Sequence, residues 1–261
     1  MKAQVYKDPR DPSYFTRFHQ RVRTGQPDWV YTLVRMLLTP YLLIVHRARA
    51  LATQNVPEAG PVIIAPNHFS FLDHFFVAVY LRRKVHFMAK SQLFKRPMQF
   101  IYTHGGVFPV RRGFHDEEAF KTAHVVLDRG DIVLMYPEGG RSRSGELGEP
   151  KRGLGRLALE SGAPVVPTAI VGTQKARNWR RLSFPKVTVL YGDPVRFEKI
   201  EDPTPEQQQA AAETVFERVK ALHEGLREGG RKTAIQRARE AGRAASQAVD
   251  AAAAPGRTVP E

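Results

Sequence analysis

A histidine and an aspartate stand five positions apart in the stretch IIAPNHFSFLDHFF, residues 63–76. The apolar run that opens the stretch is typical of a buried strand, and the histidine begins the loop that leaves it. Side chains five positions apart in one regular helix point about 140° away from each other. His68 and Asp73 can therefore meet only if His68 precedes a helix and Asp73 lies in its first turns. The carboxylate would then hold Nδ1 of His68 and leave Nε2 free to accept a proton, as a general base does.

Viewed alone, the same two residues also fit a histidine near a helix start and an aspartate on the surface. A second stretch, MYPEGGRSRSGE, residues 135–146, adds weight to the chemical interpretation. Its proline and glycines predict a turn with exposed backbone N–H groups after a strand. The turn gathers a carboxylate at Glu138, guanidinium groups at Arg141 and Arg143 and a hydroxyl at Ser142. Guanidinium groups bind phosphate in a bidentate way, so the turn predicts a phosphate site, with a solvated turn as the alternative.

Two further stretches have a strand-like pattern. GGVFPVRR ends in Arg111 and Arg112, which places cations at the end of a predicted strand. GAPVVPTAI has two prolines that bracket an apolar run. We expect it to be a core strand or the wall of an acyl pocket, without direct chemistry.

The elements that must position these residues alternate between short apolar runs and helix-like segments. The predicted strands are Val62–Ala65, Val85–Met88, Val107–Val110, Ile132–Tyr136, Val165–Val171 and Val187–Tyr191. The predicted helices are Phe71–Leu81, Leu93–Thr103, Asp116–Asp128, Gly153–Ser161 and Thr204–Leu226. Such alternation predicts an α/β fold, a single layered domain with a mixed, largely parallel sheet flanked by helices. Ligands in these folds bind where strands end and helices begin, which is where His68 would lie.

The composition indicates an anionic partner and limits the chemistry. The 261 residues include 40 Lys+Arg against 26 Asp+Glu, a formal net charge of +14. Such a balance suits an acidic lipid surface, a phosphorylated substrate or nucleic acid. No zinc-finger spacing, basic zipper or RNA-binding signature accompanies the charge, so we expect no nucleic-acid partner. The absence of cysteine excludes a thiol nucleophile and disulfides, and the histidines show no metal-ligand spacing.

The apolar segment Trp29–Val45 predicts a helix that lies on a membrane. Its 17 residues would span about 26 Å, less than the roughly 30 Å of a hydrocarbon core. Arg35 belongs to a polar stripe that also contains Thr32, Thr39 and His46, a pattern typical of an interfacial helix or of a helix packed on protein. Arg47 and Arg49 follow it and suit anionic headgroups. We therefore expect a peripheral, monotopic protein on the cytoplasmic face of the cell membrane, without a cleaved signal peptide.

These patterns divide the chain into three parts. We predict an N-terminal membrane-docking helical segment over 1–55, a catalytic domain over 56–228 and a tail over 229–261. The tail is rich in Ala and Arg and has little to bury, so we expect it to be mobile.

In their order, the four stretches resemble the glycerolipid acyltransferase family, the PlsC-like 1-acylglycerol-3-phosphate O-acyltransferases. The family's four blocks correspond here to Asn67-His68 with Asp73, to Gly106 through Arg112, to Tyr136 through Ser142, and to Val166-Pro167. The resemblance covers about residues 30–200. Two positions depart from it: Gly140 replaces the usual Thr, and Pro109 interrupts the second block. Either Arg111 or Arg112 could match the phosphate ligand of that block, and the spacing favours Arg112.

The resemblance implies transfer of a fatty acyl group from acyl-CoA or acyl carrier protein to a lysophospholipid hydroxyl, giving phosphatidic acid from 1-acylglycerol-3-phosphate. The implied catalytic residues are His68 and Asp73. The implied substrate-binding residues are Asn67, Arg112, Glu138, Gly139, Arg141 and Ser142, with Glu138 either ordering the loop or contacting glycerol. No metal or other cofactor is expected. The alternatives are a different lyso-lipid or glycolipid acceptor, a non-catalytic basic membrane-binding module, and a nucleic-acid binder.

Overall fold

The computed structural model describes residues 8–112, 116–142, 144–174 and 184–253. These residues form a seven-stranded sheet in the order β1-β7-β6-β2-β5-β3-β4. The strands are β1 Arg49–Leu51, β2 Val62–Pro66, β3 Val85–Lys90, β4 Val107–Val110, β5 Ile132–Leu134, β6 Val165–Val171 and β7 Thr188–Tyr191. Neighbouring strands are parallel except β6 and β7, which are antiparallel. The predicted α/β fold with a mixed, largely parallel sheet is confirmed.

The central strand β2 shows why the sequence forms this sheet. All five of its residues are buried, as the continuous apolar run predicts for a strand covered on both faces. Val62 and Ile64 belong to the core on one face of the sheet, and Ile63 and Ala65 belong to the core on the other. This alternation follows from the two-residue period of a strand. The strand therefore contributes to the core on both faces of the sheet. It ends directly before Asn67.

Helices cover both faces of the sheet. The helices are α1 Ser13–Thr24, α2 Trp29–Pro40, α3 Asp73–Ala78, α4 Met98–His104, α5 Glu117–Asp128, α6 Gly153–Ser161 and α7 Pro205–Ala253. Residues of α2 and α3 join the core on one face, and residues of α5, α6 and α7 join the core on the other. Helices α6 and α7 approach so closely that a Cβ at Gly155 would lie 1.8 Å from the carbonyl oxygen of Gln208.

The structure corrects several predicted boundaries. The helix predicted over Phe71–Leu81 is shorter in the structure, where α3 begins at Asp73 and ends at Ala78. The helix predicted over Leu93–Thr103 is a 3-10 turn, Ser91–Leu93, followed by α4. The strand predicted over Ile132–Tyr136 ends at Leu134, so Tyr136 belongs to the following loop.

The N-terminal part contains one helix that the sequence reasoning missed. Helix α1 buries Phe15, Phe18 and Val22, whose spacings of three and four place them on one helix face. The predicted helix Trp29–Val45 exists, but it changes from α2 to a π-helix, Tyr41–Val45, directly after Pro40. Proline lacks the N–H that the regular helical ladder needs at its position.

Arg35 and His46 of the polar stripe face the protein, whereas Thr32 and much of the apolar side of the segment are exposed. Arg35 donates to the carbonyl oxygens of Val79 and Leu81, and His46 is 2% exposed. The exposed large apolar side chains of this segment are Trp29, Leu33, Met36, Leu37, Tyr41, Leu43 and Ile44. Within the described ranges, none of the helices alone has the length and hydropathy to cross a bilayer, whereas the pair Ser13–Thr24 and Trp29–Val45, bent by 86°, meets those two criteria together.

The C-terminal helix α7 extends well past the predicted end at Leu226. Its backbone leaves the helical conformation at Gly230 and resumes it afterwards. Arg231 then donates to the side chain of Thr188 and to the carbonyl oxygen of Arg47, so the chain after residue 229 is attached to the sheet at this point. The mobility of the remaining tail and the division into three parts stay predictions.

Candidate active site

The loop between β2 and α3 brings His68 and Asp73 together. His68 Nδ1 lies 2.9 Å from Asp73 Oδ2, and Asp73 is fully buried at the start of α3. The same carboxylate oxygen accepts hydrogen bonds from the backbone N–H groups of Phe69 and Ser70, both at 2.7 Å. The loop therefore folds back over the first turn of the helix. Because a carboxylate faces Nδ1, that nitrogen carries the proton and Nε2 keeps its lone pair.

The surroundings keep the His68 imidazole neutral. Burial lowers its pKa, and the hydrogen bond that Nδ1 donates to Asp73 opposes this shift without overcoming it. The positive charges of Arg141 and Arg112 lower the pKa further. A neutral imidazole with a free Nε2 has the protonation state that a general base needs.

The loop after β5 packs directly on His68. Tyr136 stacks on the imidazole, with 3.6 Å between ring centroids and 14° between the planes. Ser142 donates its backbone N–H to the carbonyl oxygen of His68 at 2.9 Å. Sequence reasoning placed Tyr136 at the end of a strand and at the start of the third family block, without a role at His68. An aromatic residue directly before the Pro-Glu turn was the available signal for its position.

Glu138 joins the two loops from inside. It is 9% exposed, and its two oxygens accept the backbone N–H groups of His68 and Gly148, each at 2.8 Å. Burial raises the pKa of this carboxyl, and the two backbone donors oppose the shift. Gly139 follows with φ +65°, a conformation that favours glycine. Of the two roles left open for Glu138, this geometry favours ordering the loop over contacting glycerol.

The side chain of Asn67 is bound to a neighbouring strand. The residue is fully buried. Its amide nitrogen donates to the carbonyl oxygen of Ile170 at 3.0 Å, and its amide oxygen accepts the N–H of the same residue at 2.7 Å. Asn67 therefore pairs with the backbone of β6 as a strand residue would. It fixes the start of the loop that carries His68, and its role in substrate binding stays a prediction.

A polar pocket of about 170 Å³ opens beside His68 and Tyr136. Its cations are Lys90, Arg112 and Arg141. Burial lowers the pKa of Arg112, and the charge of Arg141 lowers it further. Arg111 is not part of the pocket wall and donates its backbone N–H to Asp116. Of the two arginines that could match the phosphate ligand of the second family block, the wall therefore contains Arg112, which the spacing favoured.

Two features of this pocket were not anticipated. Sequence reasoning missed Lys90, although its place at the end of β3 was a signal, since the ends of parallel strands lie close together. At Gly140, a Cβ would lie 3.4 Å from Nη1 of Arg112. The glycine that replaces the family's threonine therefore leaves space beside the guanidinium group.

An apolar pocket of about 310 Å³ adjoins the polar one. Helices α2, α3 and α4 form most of its wall. The two pockets share the residues Phe71, His74, Phe87, Tyr102 and Val107. Burial lowers the pKa of His74 to about 3, so this shared residue is neutral at physiological pH. A molecule with a charged head and a long apolar chain could place one end in each pocket.

Comparisons with known proteins bear on the family resemblance and on the fold. Residues 48–171 match the family described as Acyltransferase. A chloroplastic 1-acyl-sn-glycerol-3-phosphate acyltransferase of Brassica napus is 32% identical over 126 residues, which are 47% of this chain and 36% of the relative. A 1-acyl-sn-glycerol-3-phosphate acyltransferase of Bacillus subtilis is 28% identical over 180 residues, which are 66% of this chain and 86% of the relative. The chain thus spans about a third of the plant relative's length.

A solved structure shares the fold. The 1-acyl-sn-glycerophosphate acyltransferase PlsC from Thermotoga maritima superposes with a TM-score of 0.52 at 21% sequence identity, covering 80% of this chain and 88% of that one. The resemblance indicated by the four sequence motifs is confirmed, since residues 48–171, just under half of the chain, match the acyltransferase family and the relatives named above match over the same part.

Proposed function

We propose that the protein transfers a fatty acyl group from a thioester, on coenzyme A or acyl carrier protein, to the hydroxyl of 1-acylglycerol-3-phosphate. The observation that carries the proposal is the placement of His68 in a cationic pocket that shares a wall with an apolar one. The cations suit the acceptor's phosphate, and the apolar pocket suits an acyl chain. The names of the relatives support the same acceptor.

In the proposed reaction, Nε2 of His68 removes the proton of the acceptor hydroxyl while that oxygen attacks the thioester carbonyl carbon. The tetrahedral intermediate collapses, the carbon–sulfur bond breaks, and the proton on Nε2 passes to the leaving thiolate. Asp73 holds the imidazole in the required tautomer throughout and stabilises the imidazolium that forms. Direct attack needs no nucleophile from the protein, which agrees with a chain that contains no cysteine.

The phosphate of the acceptor would lie between Arg112 and Arg141, with Lys90 as a third cation. Glu138, Gly139 and Ser142 act through the loop backbone, which holds Arg141 beside His68. The two arginines can offer bidentate hydrogen bonds to the phosphate, whereas the lysine supplies a point charge.

We also propose that α2 and the following π-helix dock on the cytoplasmic face of an anionic membrane. Seven large apolar side chains of this segment are exposed, and Leu37 and Ile44 are exposed by 64% and 74%. The apolar pocket opens beside this surface, since Leu37, Leu38 and Leu42 line it. An acyl chain could then pass between bilayer and pocket without crossing water, at a saving of about 0.8 kcal/mol per methylene.

The test is an assay of the purified protein with labelled acyl donors and a panel of lyso-lipids that differ in headgroup. We expect turnover with 1-acylglycerol-3-phosphate, and in the same assay the His68→Ala variant should turn over about 10²–10⁴ times more slowly. Parallel reactions with acyl-CoA and acyl carrier protein identify the donor. Preference for another lyso-lipid would transfer the proposal to that acceptor, and the absence of turnover with every donor and acceptor would reject it.

A further inference from the structure

The aromatic ring of Tyr136 covers one face of the His68 imidazole. The two rings are nearly parallel, with 3.6 Å between their centroids and 14° between their planes. At its edge, the imidazole meets Asp73, which lies 2.9 Å from Nδ1. A positive charge that lies above an aromatic ring, within about 6 Å of its centroid, is attracted by the quadrupole of the ring. Tyr136 therefore lies where its ring attracts an imidazolium more strongly than a neutral imidazole.

The charges around His68 make such an attraction useful. The charged and titratable groups nearby are Asp73, His74, Lys90, Arg112, Glu138 and Arg141. Three of these groups are cations, and the charges of Arg141 and Arg112 lower the pKa of His68, as burial also does. A proton that arrives on Nε2 therefore creates a further positive charge in a site that already contains three. The side chain of His68 is only 12% exposed, so water screens this charge poorly.

The nearby carboxylates compensate the new charge at one place. Asp73 meets the imidazole at Nδ1. The two oxygens of Glu138 are occupied by backbone N–H groups, those of His68 and Gly148. A further carboxylate beside His68 would also pair with the arginines of the pocket and compete with a phosphate for them. An aromatic ring attracts the imidazolium without carrying a charge, so it avoids this competition.

Tyr136 itself stays neutral and in place. Burial raises the pKa of its hydroxyl well above the usual value, and the charge of Asp73 raises it further. The ring packs against the core on the face of the sheet that α2 and α3 cover, and the carbonyl oxygen of Tyr136 accepts the N–H of Gly139 at 3.0 Å. The hydroxyl has no hydrogen-bond partner in the described part of the chain. The effect of the ring can therefore be separated from that of the hydroxyl by a phenylalanine.

We propose that Tyr136 is a positioning residue whose ring face stabilises the imidazolium that forms on His68 when the acceptor hydroxyl loses its proton. This inference rests on the proposed function, because the proposed reaction is what places a proton on Nε2. Asp73 acts on the imidazole at its edge, and Tyr136 acts across its face. The same stacking holds the plane of the imidazole while the proton is transferred.

The first arm of the test follows the titration of the His68 ring by NMR in the full chain. The signal of His68 is assigned by its absence from the spectrum of His68→Gln. Tyr136→Leu removes the aromatic face, and Tyr136→Phe keeps it. We expect the proton affinity of His68 to fall about 3- to 30-fold in Tyr136→Leu, the size of a cation–π contribution at a site that is partly desolvated. Tyr136→Phe should keep the original affinity.

The sign of the change separates this role from packing alone. Leucine is smaller than tyrosine, so water could enter beside the imidazole. Hydration would raise the pKa of His68, because it relieves the effect of burial. Loss of the attraction by the ring instead lowers that pKa. An unchanged or raised pKa in Tyr136→Leu, or an equal decrease in Tyr136→Phe, would overturn the inference.

Tyr80→Leu is the matched control. Tyr80 packs against the same core as Tyr136, and its buried hydroxyl likewise has no partner among the described residues. It lies in the wall of neither the polar nor the apolar pocket. Tyr80→Leu should lower the thermal midpoint as Tyr136→Leu does and leave the titration of His68 unchanged. An equal change of that titration in both variants would overturn the inference, since it would report lost stability and not the ring face.

The second arm measures kcat and kcat/KM against pH. We expect Tyr136→Leu to lower kcat on the high-pH plateau by no more than the loss of proton affinity, because only part of the charge has formed in the transition state. The acidic limb of kcat/KM should move to lower pH, and Tyr136→Phe should restore both values. A lower kcat with an unmoved limb would show that the ring only orients His68, which would overturn the inference. If the unaltered protein turned over no acceptor, the proposed function would fail, whereas the NMR arm would still test whether the ring stabilises the imidazolium.

Discussion

The loop that holds His68 and the surface formed by α2 differ in how many of their groups find a partner within the protein. Around His68, one oxygen of Asp73 accepts three hydrogen bonds and both oxygens of Glu138 accept backbone donors. The geometry of the histidine is thus fixed before any substrate arrives. On α2, Arg35 is also satisfied inside the protein, but the apolar side chains remain exposed. The hydrogen bonds that orient His68 all come from within the protein, whereas the exposed side chains of the second region lack an apolar partner.

This difference separates two kinds of effect that a substitution can have. A change in the first region should alter the chemical step or substrate binding at any lipid concentration. A change on the exposed surface should alter only how much protein reaches the substrate. The predictions below test this division, beginning with the largest effect.

Replacing His68 with alanine should lower kcat by about 10²–10⁴, because the acceptor hydroxyl loses its general base. The measurement is steady-state turnover with a soluble, short-chain acceptor, which removes membrane binding from the comparison. The thermal midpoint should change little, since the loop keeps the backbone hydrogen bonds of Asp73 and Glu138. Near-normal turnover of this variant would show that His68 is not the base.

Arg112→Ala should raise the KM for the acceptor roughly 10- to 150-fold, the loss expected for one charge-assisted hydrogen bond. The KM for the acyl donor should change little. Arg111→Ala is the matched control, because this neighbour has the same charge and lies outside the pocket wall. If the two variants raise the acceptor KM equally, the arginines contribute general charge and do not bind the phosphate individually.

Sequence alone could predict most strands of the sheet and the meeting of His68 with Asp73. The alternation of apolar runs identified six of the seven strands, because a strand buried on both faces must be continuously apolar. The five-residue spacing also indicated that His68 and Asp73 meet at the start of a helix. Both inferences depend on neighbours in the sequence. The order of the motifs then located the cations at strand ends.

Features that depend on distant contacts were missed or misjudged. Strand β1 is three residues long and begins with an arginine, so it has no apolar run to detect. Tyr136 could be assigned to His68 only after the two loops were placed together. The family resemblance implied that Asn67 binds substrate, whereas the structure shows that its amide pairs with Ile170, which is 103 positions away. The attachment of Arg231 to the sheet likewise required the position of α7.

Replacing Met36 and Ile44 together with glutamine should weaken binding to anionic vesicles at least about tenfold. Fully burying one such side chain contributes about 1.5–3 kcal/mol, and both are largely exposed in the protein alone. Vesicle sedimentation measures the loss. Turnover with a soluble acceptor should stay within about twofold of the original, as the comparison of the two regions requires. A lower thermal midpoint would instead indicate that these side chains pack against protein.

The smallest expected effect is a shift in the pH profile that reports the charges around His68. The general base must be neutral, so kcat/KM should fall as the pH drops through the pKa of His68. Burial and the charges of Arg141 and Arg112 lower this pKa, which keeps the enzyme active below the pH at which an ordinary histidine would be protonated. Arg141→Ala removes one positive charge, so it should raise the pKa and move the acidic limb to higher pH. The control Arg82→Ala should leave the limb in place, because Arg82 is 90% exposed and pairs with Glu58. An acidic limb that does not move in Arg141→Ala would mean that the limb reports another group, and that this guanidinium does not act on His68 electrostatically.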